Sequence, residues 1–110
     1  MTMPCNVSMT RDAADDLEQL YQYIYRHDAP ENADYVLSQL EGCINQLDHS
    51  PNRGTFLPEL LELGIREYRE IFFKPYRIIY RVVAETVYIM LIADGRRDMV
   101  ALLNRRLMRP

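Results

Sequence analysis

Residues Ile65 to Val82 decide the fold, and they read Ile-Arg-Glu-Tyr-Arg-Glu-Ile-Phe-Phe-Lys-Pro-Tyr-Arg-Ile-Ile-Tyr-Arg-Val. The stretch mixes β-branched and aromatic residues with regularly placed arginines, and such side chains suit a pleated, half-buried surface. Lys74-Pro75 interrupts it, and a proline there favours a turn between two strands. A further run, Thr86 to Ala93, follows after a short connection. The pattern predicts an antiparallel meander of three strands with cationic and phenolic side chains.

Two amphipathic helices are predicted before this meander. Thr10 is a favourable N-cap for the first, whose apolar stripe ends near His27. Asp28-Ala29-Pro30-Glu31 starts the second, because proline is favoured in a first helical turn. The short joint predicts an antiparallel hairpin. A weak strand at Asn6–Met9, a helical turn within Leu57–Leu63 and a last helix capped by Asp98 complete the order β-α-α-β-β-β-α. We therefore predict an α+β fold, with a helix hairpin packed on a small antiparallel sheet.

Length and composition limit the functional classes. The chain has 110 residues, 48% hydrophobic and 26% charged, as expected for one globular domain spanning residues 1–110. No apolar run approaches the roughly 18 residues that a membrane span needs, and the first residues lack the pattern of a secretion signal. Cys5 and Cys43 are far apart in sequence, so we expect free thiols in a reducing cytoplasm. No metal ligand set and no cofactor motif are present, and we expect neither.

The charge is distributed unevenly. Residues 1–64 hold three basic and eleven acidic side chains, a net −8, whereas residues 65–110 hold ten basic and five acidic, a net +5. Such a bipolar chain can receive an acidic or phosphate-bearing partner on its cationic half. His27 and His49 each adjoin an aspartate at a predicted helix end, where surface or capping roles account for them.

The candidate functional residues are cationic or phenolic. Strand alternation predicts Arg77 and Arg81 on one face of their strand, with Tyr76 and Tyr80 on the other. Arginine binds phosphate or carboxylate bidentately, and tyrosine donates a hydrogen bond or stacks. An alternative for each arginine is a structural pairing across strands with Glu67 or Glu70. The cluster of interest comprises Arg66, Arg69, Lys74, Arg77, Tyr80 and Arg81.

The runs Arg66–Glu70 and Phe73–Arg81 resemble the RelE/ParE superfamily of type II toxins, as does Asp94-Gly95-Arg96-Arg97-Asp98 before a Leu- and Arg-rich helix. The resemblance extends from about Thr10 to Arg109. It implies a helix hairpin against a twisted antiparallel sheet. RelE-like members cut mRNA on the ribosome, whereas ParE-like members inhibit DNA gyrase without cutting RNA.

The resemblance implies two alternative functions. For an mRNA endoribonuclease, Lys74, Arg77 and Arg81 would hold the phosphate and Tyr80 or Tyr76 would assist proton transfer. However, residues 89–110 contain no Tyr, His, Lys or Glu, so the acid/base that the nuclease branch places there is missing. The net charge of −3 also disfavours a ribosome-bound nuclease. The ParE-like function is favoured, with no catalytic residue expected.

The ParE-like branch implies particular partners. We expect a cytoplasmic toxin that binds gyrase, contacts neither membrane nor nucleic acid directly, and forms a hetero-oligomer with a ParD-type antitoxin. An antitoxin tail that folds on binding is expected to lie across the helix hairpin and the cationic sheet, because the apolar stripes of an exposed helix pair suit such a partner. The expected antitoxin- or target-binding residues are Arg66, Arg69, Lys74, Arg77, Arg81, Arg96 and Arg97.

Overall fold

The computed structural model describes residues 4–108. The first three residues, on which part of the secretion-signal argument rests, and Arg109 lie outside this range. A five-stranded sheet carries a helix hairpin on one face and two shorter helices on the other. The elements in chain order are β1 (Asn6–Met9), α1 (Arg11–His27), α2 (Pro30–Asn45), β2 (Thr55–Phe56), α3 (Pro58–Leu61), β3 (Arg69–Phe73), β4 (Tyr76–Val83), β5 (Thr86–Asp94) and α4 (Met99–Leu107).

The helix boundaries follow the predicted caps. The Thr10 hydroxyl accepts a hydrogen bond from the Ala13 amide at 3.2 Å, and the Asp98 carboxylate accepts one from the Ala101 amide at 3.1 Å. Each bond satisfies an amide that the first helical turn leaves unpaired. A proline begins both α2 and α3. The predicted hairpin, helical turn and last helix are all confirmed.

The sheet has the order β1-β5-β4-β3-β2, and β3, β4 and β5 form the predicted antiparallel meander. Three details differ from the prediction. The predicted order lacked β2. β1 pairs with β5 in parallel, so the sheet is mixed at this edge. The strand expected from Ile65 begins only at Arg69, because residues 65–68 lead into the sheet without pairing; the two-residue β2 covers the start of β3.

Strand alternation creates two cores. Ile78 and Tyr80 face the hairpin, where they pack with Ala33, Leu40 and other stripe residues. Ile79 faces the other way, toward α3 and α4, together with Leu91. α2 buries most of its apolar stripe in this core, whereas Leu17, Leu20 and Tyr21 of α1 are only partly buried. Part of the α1 stripe therefore remains accessible, and contact of a partner with it stays a prediction.

A bulge in β5 ties α4 to α1. Tyr80 pairs with Ile89 and Ile79 with Leu91, which leaves Met90 as the extra residue. Beyond the end of β1, Arg106 of α4 donates to the Met90 carbonyl at 3.1 Å, and Asp16 of α1 accepts from the Ile92 amide at 3.1 Å. Arg106 and Asp16 also form an ion pair. These side chains satisfy backbone groups that the short β1 cannot reach.

Tyr80 anchors the loop before β2. Its ring is completely buried, and its hydroxyl donates to the Pro51 carbonyl at 2.7 Å and accepts from the Gly54 amide at 3.0 Å. A Cβ on Gly54 would lie 2.6 Å from that hydroxyl and 2.7 Å from the Glu70 carbonyl oxygen. Only glycine allows the loop to approach this closely.

Replacing Tyr80 with Phe should lower the free energy of unfolding by about 1–3 kcal/mol, because buried backbone groups lose their partner. Urea denaturation of the purified chain measures this change. Tyr25→Phe is the matched control, since Tyr25 is 48% exposed. Equal midpoints for Tyr80→Phe and wild type would contradict the anchoring role.

Candidate functional site: the cationic sheet

Arg77 is held inside the protein by two carboxylates. Its guanidinium donates to both oxygens of Glu59 at 2.8 Å, and its Nε donates to Glu70 at 2.6 Å. Arg77 is 8% exposed and Glu70 is 3% exposed. The predicted alternative of a cross-strand pairing with Glu70 is therefore confirmed, and Glu59 of α3 is a partner that the sequence did not indicate.

The two carboxylates respond differently to Arg77. The hydrogen bonds from Arg77 lower the pKa of Glu59 below its ordinary value of 4.5. Burial raises the pKa of Glu70 above 4.5, although Arg77 opposes that rise. The difference follows from burial, since Glu59 is partly solvated and Glu70 is not. The hydrogen bonds that Arg77 donates to Glu59 raise the pKa of Arg77 further above its ordinary range, so Arg77 stays charged.

Replacing Arg77 with Met should destabilise the chain by about 3–5 kcal/mol at pH 7, because Glu70 becomes an uncompensated buried charge. The difference from wild type should shrink as the pH falls from 7 toward 4. Glu70, whose folded pKa burial raises, then protonates in the variant and ceases to be a buried charge. The contribution of Glu59, whose folded pKa is lowered, is lost from wild type only as the pH falls below 4.5.

Urea denaturation at several pH values measures this difference. The double variant Arg77→Met with Glu70→Gln serves as the control, since it lacks the buried charge and should recover part of the loss at pH 7. A deficit for Arg77→Met that stays constant with pH would contradict the role of Glu70.

Arg69 lies on the opposite face from Arg77. Its guanidinium donates to the Gly54 carbonyl at 2.8 Å and lies 4.3 Å from the centre of the Phe56 ring. It therefore fastens β2 and the preceding loop to β3. This predicted binding residue is mainly occupied by contacts within the protein.

Arg81 and Arg66 lie near the end of the sheet at which β3 begins. The Arg81 side chain is 38% exposed, and its guanidinium lies 5.7 Å from the centre of the Tyr68 ring. Glu67 approaches it only to 3.9 Å. Arg66 is exposed, one residue before Glu67. The predicted pairing of Arg81 with Glu67 is thus present but loose, in contrast to the close contacts of Arg77.

Lys74, Arg96 and Arg97 lie at the other end of the sheet. The Gly95 amide donates to the Pro75 carbonyl at 2.8 Å, which joins the β3–β4 turn to the β5–α4 turn. Arg96 is paired with Asp94 at 2.6 Å, and the hydrogen bond from Arg96 lowers the pKa of Asp94. Lys74 and Arg97 are exposed. The predicted cluster of cations is therefore divided between two ends, with Arg77 buried between them.

One concave surface adjoins the Arg96–Arg97 end of this cluster, and others lie apart from the cluster. A cleft of about 620 Å³ separates the end of α1 from the β5–α4 turn, and its lining includes Tyr23, His27, Tyr76 and Arg97. A groove of about 280 Å³ runs between α3 and α4. Leu63 and Val100 line this groove and are each 67% exposed. The groove is therefore an apolar surface that solvent reaches, and a second one of about 330 Å³ lies on the hairpin beside Leu17 and Tyr21.

The nuclease alternative depends on side chains that the fold uses elsewhere. Tyr80 has no access to solvent, and burial raises the pKa of its hydroxyl. Tyr76 is half-buried beside Asp94 and Arg96, and burial raises its pKa as well. Arg77 is occupied by two carboxylates. Of the five side chains proposed for the nuclease, Lys74, Arg81 and, in part, Tyr76 reach the surface, and Lys74 and Arg81 lie at opposite ends of β4.

Other possible sites are limited in the part of the chain that is described. Cys5 and Cys43 are free thiols, as expected. Within residues 4–108, no group of three or more His, Cys, Asp or Glu side chains could hold a metal ion, and no helix is long and apolar enough to cross a membrane. His27 stacks on Tyr23, and His49 contacts its neighbour Asp48.

A family model and a relative that match this chain are both described as ParE toxins. A family model described as the ParE toxin of the type II toxin-antitoxin system, parDE, matches residues 7–99. The chain is similar to Toxin ParE3 of Caulobacter vibrioides, at 27% identity over 100 residues that cover 91% of this chain and 96% of the relative.

Three solved structures share the fold. A chain of the chromosomal ParDE toxin-antitoxin system from P. aeruginosa matches with a TM-score of 0.70 and 21% identity, covering 84% of this chain and 98% of that one. A chain of the RelBE2 toxin-antitoxin complex from Mycobacterium tuberculosis matches with a TM-score of 0.60 and 23% identity, covering 83% of this chain and 98% of that one. A mutant of E. coli toxin RelE in the free state, in which two arginines are replaced by alanine, matches with a TM-score of 0.64 and 17% identity, covering 96% of this chain and 100% of that one.

Proposed function

Because the chain belongs to the ParE toxin family of type II toxin-antitoxin systems, we propose that it inhibits DNA gyrase by binding it and that a ParD-type antitoxin neutralises it. In this proposal the toxin acts in the cytoplasm and catalyses no reaction. The match over residues 7–99 carries the choice of the ParE branch. The internal contacts of Tyr80 and Arg77 support it over mRNA cleavage, since neither side chain is free to act on a phosphodiester.

The groove between α3 and α4 is the proposed docking surface for an apolar part of the antitoxin. Leu63 and Val100 expose apolar area there, and an amphipathic helix that folds on binding buries such area favourably. The exposed cations at the two ends of the sheet suit acidic residues of the same partner. The groove is proposed in addition to the accessible part of the α1 stripe, where Leu17, Leu20 and Tyr21 are only partly buried.

A supercoiling and DNA-cleavage assay tests the target. The purified chain is added to gyrase with relaxed plasmid and ATP, with and without the co-expressed antitoxin. We expect loss of supercoiling or trapped double-strand breaks, and reversal by the antitoxin. The destabilised Arg77→Met variant should inhibit only at temperatures at which it remains folded.

The same preparations are added to a translation extract, and mRNA ends are read by primer extension. The proposal would be overturned in favour of the nuclease if gyrase activity is unchanged and mRNA is cleaved, and if the Lys74→Ala substitution abolishes that cleavage. Undisturbed gyrase and intact mRNA would also overturn it.

Replacing Val100 with Asp should weaken antitoxin binding by about tenfold or more, because a charge enters an apolar contact that binding desolvates. Titration calorimetry with the purified antitoxin measures the change. Gln39→Glu adds the same charge at an exposed position of α2 and is the control. Equal affinities for Val100→Asp and wild type would remove the groove from the docking surface.

A further inference from the structure

A row of polar side chains crosses three strands on the face away from the hairpin. Ser8 of β1 is in register with Tyr88 of β5, and Tyr88 is in register with Arg81 of β4. Arg69 pairs with Tyr80, so the next position of the same antiparallel alignment places Tyr68 beside Arg81, in agreement with the 5.7 Å contact. We call Ser8, Tyr88, Arg81 and Tyr68 the donor row.

Three side chains of the donor row, Ser8, Tyr88 and Arg81, are accessible because α4 covers a different part of this face. Tyr68, in contrast, is 8% exposed and packs in the core beside Arg81. The buried residues of α4 pack with Ile79, Leu91 and Ala93, farther along the sheet. The last turn of α4 is fixed at Met90 by Arg106. Ser8 is exposed, and Tyr88 and Arg81 are half-buried. Side chains on neighbouring strands lie about 4.8 Å apart, so several donors of the row can contact one ligand group.

Arg81 has an unused hydrogen-bond donor. Among residues 4–108, its Nε is a buried side-chain nitrogen without a hydrogen-bond partner. Glu67 stands 3.9 Å from its NH2 group, too far for a hydrogen bond, and the Glu67 side chain is 64% exposed. Buried donors in native proteins are nearly always paired. Arg81 therefore supplies a cation at this place, and Glu67, the acceptor beside it, is held only by a loose contact.

We propose that the donor row is an oxoanion site that binds a carboxylate of an acidic segment of the antitoxin, and that Glu67 occupies the approach to this site in the free chain. The incoming carboxylate displaces Glu67 and accepts from Nε and one terminal nitrogen of Arg81, the side-on geometry of a bidentate pair. Tyr88 and Ser8 supply hydroxyl donors on the side toward β1. The inference rests on the proposed antitoxin partner and names the chemistry by which this surface recognises it.

The surroundings favour a protein carboxylate over a nucleic-acid backbone. A nucleic-acid strand is held by several cations that follow its phosphates, whereas the donor row contains one cation with Glu67 beside it. The chain as a whole carries a net charge of −3. A single carboxylate among apolar and hydroxyl groups matches this arrangement better.

Nuclear magnetic resonance of the arginine Nε–Hε groups tests the site in the full chain. The probes are a short capped peptide in which Glu alternates with Leu, the same peptide with Gln in place of Glu, and an oligouridylate. The Glu peptide should shift the Arg81 resonance and bind about tenfold tighter than the Gln peptide, because the charge-assisted pair is lost in the latter. The Glu67→Gln substitution should lower the dissociation constant of the Glu peptide by about threefold, because it removes a competing carboxylate.

Matched variants separate binding from folding. Arg81→Met should abolish the preference for Glu over Gln, while Arg105→Met, at an exposed position of α4, should leave it unchanged. If Arg81→Met fails to fold, Glu67→Gln and Tyr88→Phe carry the test. Equal binding of the two peptides, no shift at Arg81, or tighter binding of the oligouridylate would each overturn the inference. None of these results depends on gyrase, so failure of the gyrase proposal in the supercoiling assay remains distinguishable.

Discussion

The contact on which the rest of the structure depends is the pairing of Arg77 with Glu59 and Glu70. It joins β4 to β3 and fixes α3 over the sheet through two hydrogen bonds of 2.8 Å. The Arg77 stem also fills the space above Gly95, where a Cβ would lie 2.9 Å from the Arg77 Cδ. One buried cation thereby sets the positions of α3 and of the turn that starts α4. Because α3 and α4 form the two sides of the exposed apolar groove, the position of this groove depends on Arg77.

This constraint divides the cations of the sheet by role. Arg77 and Arg69 are used to hold strands and loops, and Arg96 is used by Asp94. Arg66, Lys74, Arg81 and Arg97 keep solvent access, at the two ends of the sheet. A surface of this kind suits recognition of a partner at separate points. Within residues 4–108, the groups proposed for RNA cleavage are not gathered at one point, since Lys74 and Arg81 lie at opposite ends of β4 and Tyr80 is buried.

Much of the fold was predictable because its signals are local. Thr10 and Asp98 marked helix starts through their own caps, and Lys74-Pro75 marked the turn between β3 and β4. The family resemblance rested on the same stretch. The two faces of β4 were also predictable, because alternation alone separates Arg77 and Arg81 from Tyr76 and Tyr80.

Features that depend on tertiary contacts were not predictable in this way. The parallel pairing of β1 depends on where the hairpin returns the chain, and the bulge at Met90 changes the alternation within β5. Glu59 lies 18 residues from Arg77, so only the placement of α3 reveals their pairing. The donor row needs the registers of three strands at once. Its one local signal was the placement of Tyr68 and Tyr88 among β-type residues, which also fits a structural role.

The central claim is that this ParE-family toxin acts by binding gyrase. The most direct measurement is a calorimetric titration of the purified chain into gyrase, without DNA, ATP or antitoxin. The account predicts a saturable interaction with a fixed stoichiometry, which prior addition of antitoxin removes. Absence of heat and of a stable complex, with the chain shown to be folded, would contradict it.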